Sequence, residues 1–167
     1  MAMVMASANT SAVGASGGSN GHTVFVYGSL LADDVVQVLL NRIPQTSPAI
    51  LNGFHRFSVK GRVYPAIIPV ENKKVTGRQV LFGLSASELD ILDIYEDEEY
   101  EKKDVDVSLL DTREVIQAYV YIWAKSTDPD LYGEWDFEEW KKSKLEDYLK
   151  MTKSFVEELE DTASSMP

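Results

Sequence analysis

The spacing of apolar residues changes several times along the first half of the chain, and each change predicts a new element. The run TVFVY, residues 23–27, predicts a strand that ends at a Gly-Ser turn. In residues 31–42, apolar residues recur at helical spacing after Asp33 and Asp34, which suit the first turn of a helix. Three strands are predicted next: AILNGFHRFSV with a bend at Gly53, YPAIIPV at a sheet edge because of its prolines, and, after a turn at ENKK, VTGRQVLFGL.

The second half of the chain predicts two helices and two strands. Ser85 and Glu88 have the S-x-x-E spacing of a capping box, so a helix is expected to begin near Ala86. Strict alternation in YEKKDVDVSLL predicts a half-buried strand, and VIQAYVYIWA, apolar on nearly both faces, predicts a central strand. After a loop at KSTDPDLYGE, an interrupted apolar stripe predicts a long helix that ends near Glu160.

This order of elements defines the expected fold class and domain organisation. Strands outnumber helices and the hairpins are local, which favours an α+β fold whose twisted mixed sheet closes into a small barrel. No internal repeat or boundary divides the chain, so a single domain is expected over residues 23–160. The Ala-, Ser-, Gly- and Asn-rich residues 1–22 predict a disordered tail, and residues 161–167 a flexible C-terminus.

Composition and charge reduce the number of possible classes of binding partner. The 167 residues carry a net charge of −11, which repels phosphate backbones and anionic lipids, so neither nucleic acid nor a membrane is expected as a partner. No apolar run approaches the ~20 residues of a membrane span. The chain has no cysteine, which excludes disulfides and thiol nucleophiles, and its first basic residue is Arg42. Because the N-terminal residues resemble neither a secretory signal nor a transit peptide, a cytoplasmic location is expected.

The first candidate for chemistry is the end of the first predicted strand, Tyr27-Gly28-Ser29-Leu30-Leu31. A strand that turns through glycine into a helix leaves backbone N–H groups without intrahelical partners, and the helix dipole makes that position slightly positive. Such a turn can hold a small carboxylate. The alternative is an ordinary strand-turn-helix connection with no ligand.

The second candidate is Glu96, within the acidic segment LDILDIYEDEEY. A helix that begins near Ala86 would place Glu96 at its C-terminus, where the dipole disfavours a carboxylate. Neighbouring acidic residues and partial burial would also raise the pKa of this carboxyl, which suits a group that accepts and returns a proton near neutral pH. The alternative is a solvated acidic face.

Other chemistries have less support in the sequence. A Ser-His mechanism would depend on His55 alone, because the other histidine, His22, lies in the predicted tail, and Ser29 lacks the G-x-S-x-G context of a nucleophile elbow. One ordered histidine with scattered carboxylates gives no recognisable metal-site spacing. We therefore expect neither a metal nor another cofactor.

Four segments together resemble the gamma-glutamylcyclotransferase superfamily, and especially its plant branch, the avirulence-induced-gene family. They are VFVYGSLL, YPAIIP, VTGRQVLFGLS and LDILDIYEDEEYEKKDVDV, which lie between residues 23 and 124. The long acidic C-terminal helix is also similar to that branch. The resemblance implies a small mixed β-barrel of about five to seven strands with peripheral helices.

The resemblance also implies a site and a reaction. The loop Tyr27 to Ala32, which comprises Tyr27, Gly28, Ser29, Leu30, Leu31 and Ala32, would hold the gamma-glutamyl group through backbone amides. Glu96 would be the general acid/base, and Tyr100 a wall of the pocket. The α-amine of the substrate would attack its own gamma-carbonyl, giving 5-oxoproline and a free amine or amino acid without any cofactor.

Two classes of function stay open at this point. The first is an acyltransferase that acts on a small gamma-glutamyl compound. The second is a non-catalytic module in a stress or defence response, which binds a gamma-glutamyl-like metabolite or a protein. A monomer is the working expectation for the oligomeric state, which the sequence does not fix.

Overall fold

Six strands and three helices make up the part of the chain that the structure, a computed structural model, describes: residues 21–96, 99–125 and 127–165. The elements are β1 His22–Val26, a 3-10 turn Ser29–Leu31, α1 Asp33–Leu40, β2 Thr46–Val59, β3 Ala66–Leu84, α2 Ala86–Glu96, β4 Tyr100–Leu109, β5 Val115–Trp123, β6 Leu131–Tyr132 and α3 Phe137–Ser165.

The predicted N-terminal tail lies mainly outside the described residues, whereas the backbone of most of the predicted flexible C-terminus is described. Of the predicted tail, residues 1–20 are not described, and His22 already pairs with Leu84 as the first residue of β1. At the other end, α3 continues to Ser165, so its backbone is helical over most of the segment that we expected to be flexible.

Five of the strands form a closed barrel, as the sequence predicts. The order is β3-β1-β5-β4-β2, and β2 pairs with β3 again, which closes the ring, while β6 pairs with the end of β2. β1 and β5 are parallel and the other pairs are antiparallel, so the barrel is mixed. With its peripheral helices and long C-terminal helix, the structure confirms the predicted fold class.

The predicted turn at ENKK, residues 71–74, is wrong, because β3 runs without interruption through this segment. Asn52 of β2 pairs with Lys74, and Phe54 pairs with Pro69, so residues 70–73 of β3 lie opposite Gly53 alone. The extra residues form a wide bulge, with Gly53 at a φ of 82° and Asn72 at 65°. The polar sequence thus produces a bend within paired strands rather than a hairpin.

Two apolar cores lie on the two faces of the sheet. The barrel interior takes side chains from all five of its strands, among them Phe25, Leu51, Val80, Val107 and Val120. The outer core joins the opposite face of β1 to all three helices, and contains Val24, Val26, Val35, Leu92 and Trp140 among others. Since alternate residues of β1 serve the two cores, the end of this strand is fixed from both sides.

The capping box predicted at the start of α2 is present. The Glu88 N–H donates to Ser85 Oγ at 3.1 Å, and the Ser85 N–H donates to Glu88 Oε1 at 2.9 Å. Arg42 holds the same carboxylate with Nε at 2.7 Å. The helix therefore begins at Ala86, and Glu96 is its last residue.

Within the described residues, none of the helices combines the length and the apolar character that crossing a bilayer requires.

Candidate active site

A cavity of about 290 Å³ lies where the end of β1, the end of α2, the start of β4 and one face of α3 meet. Half of its lining residues are aromatic, and two are carboxylates. The lining residues are Phe25, Val26, Tyr27, Gly28, Ser29, Leu30, Tyr64, Pro65, Tyr95, Glu96, Glu99, Tyr100, Tyr121, Tyr148, Met151 and Phe155. Six of the eight residues that the sequence singles out therefore line one cavity, namely Tyr27, Gly28, Ser29, Leu30, Glu96 and Tyr100.

Leu31 and Ala32 do not line this cavity. Their N–H groups donate to Gly28 O at 2.9 Å and Ser29 O at 3.0 Å, which closes the 3-10 turn. Their side chains pack into the outer core instead. Among the described residues, the N–H groups of Ser29 and Leu30 have no acceptor, so the region that can bind an anion is shorter than the predicted Tyr27–Ala32 loop.

Gly28 lies against Pro65 at the wall of the cavity. A Cβ at this position would come within 2.8 Å of the Pro65 ring, which is far closer than real carbon atoms approach. A rigid ring cannot turn aside as a flexible side chain does. The turn after β1 therefore requires glycine for space at this position.

Gly28→Ala should weaken or abolish ligand binding, because the turn must move away from Pro65 and carry the Ser29 N–H with it. We expect at least a tenfold loss of affinity for a gamma-glutamyl ligand, measured by calorimetry, with a lower melting temperature. Gly61→Ala is the control, since a Cβ there meets nothing within 4 Å and only the strain of its φ of 77° is added. A folded Gly28→Ala protein with parental affinity would contradict this placement of the ligand.

Burial dominates the electrostatics of Glu96. The residue keeps partial solvent access through the cavity, but its carboxyl is surrounded by protein, and this burial raises its pKa from 4.5 to about 8. Among the described residues, no side chain or backbone group hydrogen bonds to the carboxyl. The direction agrees with the sequence argument, and the cause found among the described residues is burial.

Two other carboxylates near Glu96 in the described part of the chain, Asp93 and Glu99, are paired with their own partners. Asp93 accepts a hydrogen bond from the Tyr121 hydroxyl at 2.7 Å and another from Lys102 Nζ at 3.0 Å. Glu99 accepts from the Tyr64 hydroxyl at 2.7 Å and forms an ion pair with Arg62. Glu96 therefore differs from them in having no such charged partner among the described residues.

Six tyrosines surround Glu96, and burial raises the pKa of every one, so all are neutral phenols at neutral pH. Several donate their proton to the protein. Tyr27 donates to Tyr121 O, Tyr100 to Pro65 O at 2.6 Å, and Tyr121 to Asp93. These phenols can offer a ligand only an acceptor. Because no Lys or Arg is among the lining residues described, this part of the wall favours an ammonium group.

The far wall of the cavity comes from α3 and was missed by the sequence analysis. Ser29 Oγ donates to the Tyr148 hydroxyl at 3.1 Å, across 119 residues of sequence. The buried Thr152 hydroxyl donates to Tyr148 O at 2.9 Å and lies 3.0 Å from the Tyr95 hydroxyl, which must then be the donor. Met151 and Phe155 complete this wall. The apolar stripe of α3 signals burial, but not which cavity the stripe borders.

A Ser-His mechanism, which would pair Ser29 with His55, has no structural support. Ser29 bonds to Tyr148, whereas His55 Nε2 lies 3.0 Å from Gly133 O and its ring packs edge-on to Phe57. His55 is also absent from the lining of the cavity. In the part of the chain that the structure describes, no group of three potential metal-ligating side chains occurs.

Comparison with known proteins identifies the class of fold and then the family. A solved structure named gamma-glutamyl cyclotransferase has the same fold, with a TM-score of 0.53 over 79% of this chain and 86% of its own, at 17% identity. The family model described as gamma-glutamyl cyclotransferase, AIG2-like, matches residues 24–142. The chain belongs to this family, as the sequence resemblance indicates.

The relatives include several plant proteins. AIG2-like protein D of Arabidopsis thaliana is 63% identical over 139 residues, which cover 83% of this chain and 91% of that protein. AIG2-like protein C of the same plant is 52% identical, over 84% of this chain and 81% of that protein. A solution structure of an Arabidopsis thaliana protein superimposes with a TM-score of 0.64 at 40% identity, over 87% of this chain and 94% of the other.

Proposed function

We propose that this protein is a gamma-glutamylcyclotransferase, which converts a small gamma-glutamyl compound into 5-oxoproline and a free amine or amino acid. The observation that carries the proposal is the Glu96 carboxyl, whose pKa of about 8 suits proton transfer near neutral pH, in the same cavity as the free N–H groups of Ser29 and Leu30. Family membership supports the class of reaction.

Two sets of groups in the cavity wall suit the charges of a gamma-glutamyl group. The N–H groups of Ser29 and Leu30 match an anion, either the α-carboxylate of the substrate or the oxygen that gains charge during the reaction. The phenol oxygens and the Glu96 carboxyl match the α-ammonium group. When these N–H groups hold the gamma-carbonyl oxygen and Glu96 holds the α-ammonium group, the substrate is bent so that its amine comes close to its own gamma-carbon.

Glu96 carries both proton transfers in this proposal. As a carboxylate it removes a proton from the α-ammonium, and the freed amine nitrogen forms a bond to the gamma-carbon. The resulting oxyanion is stabilised by a backbone N–H of the turn after β1. Glu96 then gives the proton to the leaving nitrogen as the amide bond breaks, and its regenerated carboxylate takes the second proton that the ring nitrogen must lose, which ends on the released amine as an ammonium group. The ring closes as 5-oxoproline, and no water is consumed.

The direct test is the release of 5-oxoproline from gamma-glutamyl amino acids and gamma-glutamyl amines by the purified protein. The matched control is the N-acetylated form of each compound, which keeps the gamma-amide but has no nucleophilic amine. Turnover of the free-amine forms alone is expected. If free and N-acetylated compounds bind but neither is turned over, the protein is a binding module; if the N-acetylated forms are cleaved, the cyclisation mechanism is wrong.

Glu99 is the second carboxylate of the cavity, and its substitution should have a much smaller effect than loss of Glu96. Its charge is already balanced by Arg62, and its side chain is 35% exposed, so Glu99 lacks the unpaired, enclosed carboxyl that Glu96 offers. We expect Glu99→Gln to lower kcat less than tenfold. A loss above 10²-fold would move the acid/base role to Glu99. As a structural readout, the pKa of Tyr64, about 12 in the parent, should fall because its hydrogen bond to the carboxylate is lost.

A further inference from the structure

The peptide bond between Tyr27 and Gly28 is held from outside the cavity by Arg56 of β2. The Arg56 guanidinium donates from Nη1 to Tyr27 O at 2.8 Å. Arg56 does not line the proposed active site; it lines a separate polar cavity, together with Lys74, Glu134 and Trp135. The carbonyl of Tyr27 therefore points away from the active site.

The opposite end of the same peptide must point the other way. The described peptide bonds are all trans, so the Gly28 N–H is directed opposite to the Tyr27 carbonyl. Gly28 lines the active-site cavity, immediately before the free N–H groups of Ser29 and Leu30. The Gly28 N–H is thus the first member of the row of donors that would meet the substrate.

Arg56 is itself held in place. Its guanidinium lies over the Trp135 ring, 5.2 Å from the centroid, and Trp135 is buried. Ser58 Oγ donates to Glu134 O at 3.1 Å and so ties the segment that carries Trp135 to β2. The Arg56 guanidinium that donates to Tyr27 O is therefore held in place by its neighbours.

We propose that Arg56 is a positioning residue for the active site, which orients the Tyr27–Gly28 peptide and polarises the Gly28 N–H. A charged donor on a carbonyl draws electron density through the conjugated peptide, so the N–H at the other end becomes a stronger donor. Developing negative charge on the gamma-carbonyl oxygen is stabilised accordingly. This role in catalysis rests on the proposed function, whereas the polarisation of the peptide does not.

The test compares Arg56→Met, Arg56→Gln and Arg56→Lys in the full chain. Met keeps a side chain over Trp135 without a donor, Gln keeps a neutral amide, and Lys restores the charge. Lys74→Met is the matched control, because it removes a positive charge from the same outer cavity. Each variant is checked by thermal melting, and the Gly28 amide is observed by NMR with 15N-labelled glycine.

Arg56→Met is expected to move the Gly28 amide proton upfield and to lower kcat about tenfold with little change in KM, since a donor is weakened rather than removed. Arg56→Lys should recover much of both effects, and Lys74→Met should cause neither. If Arg56→Met does not fold, the Gln and Lys variants carry the same comparison. A folded neutral variant with an unchanged Gly28 amide shift overturns the proposal. If the Gly28 amide shift differs between parent and Arg56→Met as expected, but the parent turns over no gamma-glutamyl compound, the proposed function is wrong and the polarisation of the peptide stands.

Discussion

Glu96→Gln should lower the turnover of a gamma-glutamyl substrate by at least ~10²-fold, the lower end for a positioned acid/base. Gln keeps the shape of the side chain but can neither take a proton from the α-ammonium nor give one to the leaving nitrogen. In the described part of the chain, no other unpaired carboxylate lines the cavity, because Glu99 is bound to Arg62. Substrate affinity should change less, since the backbone N–H groups of the turn after β1 remain in place.

The pH dependence gives a second signature of the same residue. With a pKa of about 8, Glu96 is mostly protonated at pH 7, and only its carboxylate form can accept the proton of the substrate. In the parent, kcat/KM should therefore rise with pH and level off above about pH 8. The residual kcat/KM of Glu96→Gln should not show this rise with pH.

Glu101→Gln is the control for this substitution, because the Glu101 side chain is 57% exposed at the start of β4 and does not line the cavity. It should keep parental turnover and the parental pH profile. Near-parental turnover in Glu96→Gln, together with a large loss in Glu99→Gln, would show that the wrong carboxylate has been assigned.

The parts of the site that the sequence predicts are those built from one continuous segment. The turn after β1 could be recognised because Gly-Ser follows an apolar run, and the capping box at Ser85 fixed where α2 begins and hence where Glu96 lies. Local hydrogen bonding determines both features, so a short stretch of sequence contains the relevant information. The same reasoning predicted too many donors, because it could not foresee the 3-10 turn that occupies the N–H groups of Leu31 and Ala32.

The parts that the sequence missed come from distant segments. Tyr148 reaches Ser29 across 119 residues, and Arg56 reaches Tyr27 across 29. In each case the amino acid pattern shows only that the residue is half-buried or buried, while its neighbour depends on how the barrel closes and where α3 packs. The bulge opposite Gly53 is of the same kind, since the polar ENKK segment is typical of a turn unless the pairing of β2 with β3 is known.

The stability of Glu96→Gln should exceed that of the parent increasingly as the pH rises, an effect that requires no substrate. The pKa of Glu96 is raised from 4.5 to about 8 in the folded protein, so between these values the folded state holds a proton that the unfolded state has released. The free energy of unfolding of the parent then falls by up to about 1.4 kcal/mol per pH unit over this interval. The contribution of Glu96 to the free energy of unfolding is fully present below its ordinary pKa of 4.5 and is lost by about pH 8.

Glu96→Gln has no such titration, so the difference in stability between variant and parent should grow from pH 5 to pH 8. The full shift corresponds to about 5 kcal/mol, and in a chain of this length each kcal/mol changes the melting temperature by roughly 2–4 °C. Any cost of burying the Gln amide is the same at each pH and cancels when the slopes are compared. His22, whose pKa is lowered by burial, titrates equally in both proteins.

The measurement is chemical unfolding of parent, Glu96→Gln and Glu101→Gln at several pH values between 5 and 9. Glu101→Gln should follow the parent throughout, because the Glu101 side chain is 57% exposed and lies outside the cavity. If parent and Glu96→Gln keep a constant difference from pH 5 to pH 8, the carboxyl is not held protonated in the folded protein. Glu96 would then be ionised at neutral pH, and the proton transfers assigned to it would have to begin from the carboxylate of an ordinary glutamate.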